Sequence, residues 1–84
     1  MKYRYTIADA ANREAFEEAV PFIIKKLHFK PDGEALTDVD GSLRQKFTGE
    51  NGYLILESDV QVDYVGIVSD SKLPINCLHK WTLR

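Results

Sequence analysis

Between Ala10 and His28 the apolar residues Phe16, Ala19, Val20, Ile23, Ile24 and Leu27 recur at spacings of three and four, and this stripe decides what the chain can become. A helix with one apolar side must bury it, and the flanking segments supply the surface. "KYRYTI" sets Tyr3, Tyr5 and Ile7 against Lys2, Arg4 and Thr6 with a period of two, the pattern of a half-buried strand. From Glu34 onward the same alternation dominates. The expected architecture is therefore α+β and two-layered, one kinked helix packed on an antiparallel meander of four to six strands, with residues 1–84 as a single domain.

The helix should be capped by Asp9, and its acids Glu14, Glu17 and Glu18 precede its bases Lys25 and Lys26, as the helix dipole prefers. Pro21 lies inside the stripe, where it removes one backbone hydrogen bond and crowds the carbonyl of Glu17. Because the stripe keeps its phase across the proline, one bent helix is expected over residues 10–28, closed by Pro31 and Gly33 in "KPDG".

"GENGY" contains Asn51-Gly52, which suits a two-residue hairpin loop whose central residues need positive φ. That loop pairs Lys46 with Glu57, Phe47 with Leu56, Thr48 with Ile55 and Arg44 with Asp59. Opposite charges then meet on one side while Leu43, Phe47, Leu54 and Leu56 gather on the other. "VQVDYVGIV" reads as the next strand, with Val60, Val62 and Tyr64 facing one way and Gln61, Asp63, Val65 and Ile67 the other. After "SDSKLP", Ile75, Cys77, His79, Trp81 and Leu83 alternate as in a last strand, although Ile75, Leu78 and Thr82 also fit helical spacing.

This order of strand, helix and meander resembles the cystatin-like architecture. Inhibitory cystatins carry Gln-x-Val-x-Gly, whereas "QVDYVG", from Gln61 to Gly66, is one residue longer and falls in a different strand, so the resemblance implies an architecture and no protease inhibition.

"LTDVDGSLRQKF", residues 36–47, matches a calcium-binding EF-hand loop at Asp38, Asp40, Gly41 and Leu43. The first and twelfth positions, which must supply ligands, are Leu36 and Phe47, and both flanks look extended rather than helical. "DVDG" is therefore expected to be a turn joining Leu36 to Leu43, with Asp40-Gly41 in left-handed conformations.

Few residues offer chemistry. Cys77 and His79 would share one side of a strand, but with Cβ atoms roughly 7 Å apart they are beyond hydrogen-bond reach of one another unless they bend together. His28 could approach them from the helix end, yet one cysteine and two separated histidines lack the paired spacing of a zinc site. A small-ligand or enzymatic site around Cys77 and His79 is the alternative to a non-catalytic role. Asp38, Asp40, Asp59, Asp63 and Asp70 read as solvated turn and surface residues, and no phosphate loop, dinucleotide fingerprint or nucleophile elbow occurs, so no cofactor is expected.

Charge is unevenly spread. Residues 1–30 carry six Lys/Arg against four Asp/Glu, residues 31–70 two against nine, and residues 71–84 three against none, giving a net −2. An acidic middle argues against a general nucleic-acid binder. If the first and last strands are neighbours, Lys2, Arg4, Lys80 and Arg84 could gather into a basic surface, but Tyr3, Tyr5 and Trp81 then point to the opposite side and leave it without a stacking platform. The single cysteine and the absence of a secretory signal in "MKYRYTIADA" point to a reducing, cytoplasmic setting, and the longest apolar run, Ala19–Ile24, is too short to span a bilayer.

One helix covers one side of a sheet. With a three-residue connection around Asp59, Tyr53 falls opposite Val65, so Tyr53, Ile55, Val65 and Ile67 form an apolar patch turned away from the helix, rimmed by Lys46, Glu57 and Asp63. The sequence thus predicts a small interaction or accessory module that binds a second copy or another protein through this side of the sheet.

Overall fold

A computed structural model of the protein describes residues 3–50, 52–71 and 73. It is an α+β fold in which one helix, α1 (Arg13–Lys26), lies against a six-stranded antiparallel sheet. The strands are β1 (Tyr3–Ala8), β2 (Lys30–Pro31), β3 (Leu36–Thr37), β4 (Leu43–Gly49), β5 (Gly52–Asp59) and β6 (Tyr64–Ser69). The spatial order is β1-β6-β5-β4-β2, with β3 also on β4. β4, β5 and β6 form a meander, and β1 joins its far edge beside β6 rather than beside the strand that follows the helix.

The helix forms where its stripe requires. Phe16, Ala19, Ile23 and Leu27 are buried, and the α-helix runs through Pro21, which faces solvent. The expected bounds need correction at both ends. Asn12, not Asp9, is the N-cap: its side-chain oxygen accepts from the amide of Ala15 at 3.1 Å, while its own amide donates to Ser58 Oγ at 3.1 Å and ties the helix start to β5. At the other end the helix closes before "KPDG". Leu27 is the C-cap and His28 takes a left-handed conformation with φ of 61°.

β2 and β3 are two short contacts along the same edge of β4, with Lys30 opposite Thr48 and Leu36 opposite Arg44. Between them the chain bows outward, and buried Gln45 holds the bow by donating its amide to the carbonyls of Gly33 and Lys46, both at 3.0 Å. "DVDG" is a turn, as expected: Thr37 pairs with Leu43, and Asp38 donates its amide to the carbonyl of Ser42 at 2.8 Å. Only Gly41 is left-handed there, with φ of 93°; Asp40 is not.

Two registers differ from expectation, with different consequences. In the β4–β5 hairpin Gly49 pairs with Gly52, so Gly52 belongs to β5 and every pair slides by two: Lys46 faces Ile55, Phe47 faces Leu54 and Arg44 faces Glu57. A slide of two keeps each side chain on its side of the sheet. The reason lies in distant contacts. A Cβ on Gly49 would come within 3.0 Å of the Phe29 ring, and Gly52 combines a positive φ of 156° with the carboxylate of Asp70 standing where a Cβ would be, so both places favour glycine.

The β5–β6 connection is the larger correction. Residues 60–63 are not strand but a four-residue turn, in which Asp59 Oδ1 accepts from the amides of Gln61 at 2.9 Å and Val62 at 3.0 Å, and Asp63 is left-handed with φ of 66°. Asp59 therefore pairs with Tyr64, Ile55 with Val68 and Leu56 with Ile67. An even-length turn in place of an odd one inverts β6. Val65 and Ile67, expected on the outer side, are 0% exposed in the core with Leu54, Leu56, Phe47 and Ile23, while Tyr64 turns outward.

Candidate interaction face

The outer side of the sheet, away from α1, is built from alternate residues of β1, β6, β5 and β4, with Leu36 of β3 and Lys30 of β2 at its edge. One row crosses it as Arg4, Val68, Ile55 and Lys46, each opposite the next. The neighbouring row is Thr6, Gly66, Glu57, Arg44 and Leu36, and on the other flank Tyr53 faces Thr48, which faces Lys30. Ile55, Val68, Tyr53 and Tyr64 are half-buried, and Arg4, Arg44 and Lys46 are exposed around them.

Of the residues expected on this face, the structure brings together Tyr53, Ile55, Lys46 and Glu57. Val65 and Ile67 belong to the core, and Asp63 sits on the β5–β6 turn, where its carboxylate accepts from the amide of Ala11 at 2.9 Å. Arg4 and Arg44 border the face, and Val68 and Tyr64 take the vacated places. The signal that could have found them is Asp59, a turn-forming residue at the start of "DVQVD", whose valines imitate strand alternation.

Tyr64 is fixed in this surface. Its side chain lies across Gly66, where a Cβ would also come within 2.7 Å of the Tyr5 carbonyl oxygen, and its hydroxyl donates to Glu57 Oε2. Burial, reinforced by that carboxylate, pushes the phenol pKa up to about 12. Glu57 is only 13% exposed at its side chain and also faces the Arg44 guanidinium at 3.6 Å. Lys46 Nζ stands 5.1 Å from the centre of the Tyr53 ring and 3.9 Å from Asp32. Such surface pairs contribute roughly 0–1 kcal/mol each, so they arrange the face more than they stabilise the fold.

At the end of the sheet the turns 38–42 and 60–63 lie side by side, joined by the amide of Val60 donating to Ser42 Oγ at 3.0 Å. Beneath them a cleft of about 440 Å³ is lined by Leu36, Leu43, Arg44, Glu57 and Gln61 among others. Its aspartates hold the turns: Asp38 accepts from the Val39 amide and Asp40 from that of Ser42, both at 2.9 Å. The amide and hydroxyl of Ser42 hold the Asp40 carboxyl below the usual carboxylate range. A depressed carboxyl is a poor proton donor near neutral pH.

Among the described residues no group of three or more His, Cys, Asp or Glu is placed to hold a metal ion, and no helix is long and apolar enough to cross a membrane. Cys77 and His79, and with them Trp81, Lys2, Lys80 and Arg84, lie outside the described residues; His28 is exposed at the end of α1. No protein-family model matches the chain, and comparison with curated proteins and with solved structures finds no significant match.

Proposed function

We propose that the protein is a small non-catalytic docking module that binds another protein through the outer side of its sheet. The observation that carries this reading is the pair Ile55 and Val68, directly opposite each other in mid-sheet, flanked by Tyr53 and Tyr64 on the side that α1 leaves uncovered. Large apolar side chains placed together at a surface and rimmed by charge are the composition of an interface centre. Arg4, Arg44 and Lys46 form the rim and add aliphatic stems to the apolar area.

The test is photo-crosslinking from position 55, with a photoreactive residue in place of Ile55 and a control in place of Lys25 on the exposed side of α1. A discrete protein adduct from position 55 and none from position 25 supports the reading. No adduct from either position, or the same adducts from both, contradicts it.

A further inference from the structure

The outer face has a complement on the same molecule. Residues 36–42 and 59–63 hold four aspartates, Asp38, Asp40, Asp59 and Asp63, and no lysine or arginine. The two turns that carry them are adjacent, with Val60 Cγ2 3.8 Å from where a Cβ on Gly41 would stand. Among the described residues the same end displays the most exposed large aliphatic side chains: Val39 at 104% and Val62 at 68%, with Val60 at 43%, beside Leu36 at 66%, where the tip meets the edge of the outer face. Isolated exposed valines need no explanation, but four aliphatic residues on one sheet end, interleaved with four acids, form an amphipathic tip.

The outer face offers the reverse pattern. Its centre is apolar and the bases Arg4, Arg44 and Lys46 are exposed at its edge, Arg44 facing the largely covered Glu57 and Lys46 standing 3.9 Å from Asp32, so the rim keeps an excess of positive charge. Resting on the docking reading above, we infer that the occupant of the outer face is the acidic, valine-rich tip of a second copy of this chain. Aliphatic surface meets aliphatic surface, and the aspartate-bearing turns lie against the arginine and lysine rim. Opposite potentials align the two copies, and like ends repel. An interface of ordinary size takes about 800 Å² from each partner, roughly one face of a body measuring 32 × 29 × 25 Å. Because the rim charges are solvent-exposed, the association weakens with salt as the screening length falls from about 30 Å at 0.01 M to about 3 Å at 1 M.

The test is sedimentation of the purified full chain with two sets of substitutions that spare every turn-holding aspartate. V39K/V62K makes the tip basic, and R4E/K46E makes the face acidic. The expected result is a wild-type mass above 9.6 kDa at low salt that returns toward 9.6 kDa at high salt. Each double variant alone should associate at least about tenfold more weakly while its circular dichroism is unchanged, and an equimolar mixture of the two should regain the wild-type mass. The inference is overturned by a wild type that stays at 9.6 kDa throughout, by variants that associate like the wild type, or by a mixture that fails to regain it. A monomeric wild type that still gives a position-55 adduct with a different protein would overturn this inference and leave the docking reading standing.

Discussion

Gly66 shows how much one residue without a side chain can organise. It sits in β6 with the Tyr64 ring on its outer side and the Tyr5 carbonyl 2.7 Å from where a Cβ would stand, and the second neighbour is backbone that cannot swing away. Gly66→Ala should therefore destabilise the fold by about 1–3 kcal/mol in urea unfolding, by displacing Tyr64 and separating β1 from β6. Tyr64 makes a pH-dependent prediction. Its folded pKa of about 12 lies above the ordinary value of 10.0, so its contribution is fully present below pH 10 and is lost as pH rises through 12. The stability of the wild type relative to Tyr64→Phe, measured by urea midpoints, should fall across that window, whereas the other tyrosines cancel in the comparison. If the difference stayed constant from pH 9 to pH 12, the phenol would not be held as described.

At the scale of elements, α1 is legible in the sequence because a helix that must bury one side writes its period into Phe16, Ala19, Ile23 and Leu27, and the proline did not shift that phase. Its cap was less legible, since Asp9 and Asn12 are equally good cap residues by type. Asn12 prevails because Ser58, distant in sequence, receives its backbone amide. Asn12→Ala should cost about 1 kcal/mol, read as a lowered urea midpoint with unchanged helix content. β1 was legible from alternation, and β4 and β5 from alternation together with the Asn51-Gly52 turn signal. What the alternation could not reveal was where β5 ends, because Val60 and Val62 continue the strand-like period while the Asp59 carboxylate folds the chain into a turn. The Asn51-Gly52 signal likewise named the right hairpin in a register shifted by two, since Gly52 is the first residue of β5, paired with Gly49, rather than part of the loop.

For the whole molecule, the length of that turn determines which surface the protein presents. A two-residue slide in the first hairpin leaves every side chain on its side, but the change of parity at residues 60–63 exchanges Val65 and Ile67 for Tyr64 and Val68. Half of the candidate face was therefore legible, namely Tyr53, Ile55, Lys46 and Glu57. The rest depended on one turn for Tyr64 and Val68 and on the pairing of β1 with β6 for Arg4, whereas Arg44 kept the side that alternation gave it. The acidic middle of the sequence also acquires a place: much of it gathers on two turns at one end of the sheet, where Arg44 of the outer face lines the same cleft. The most direct measurement of this arrangement compares urea unfolding of Val65→Asp with that of Val68→Asp. A carboxylate forced into the core at position 65 should cost at least about 3 kcal/mol or abolish the cooperative transition. At position 68, beside Arg4 on the outer row, the cost should stay near the roughly 1 kcal/mol span of strand preferences. Equal losses at the two positions, or a greater loss at 68, would show that Val68 lies in the core and would remove the docking face.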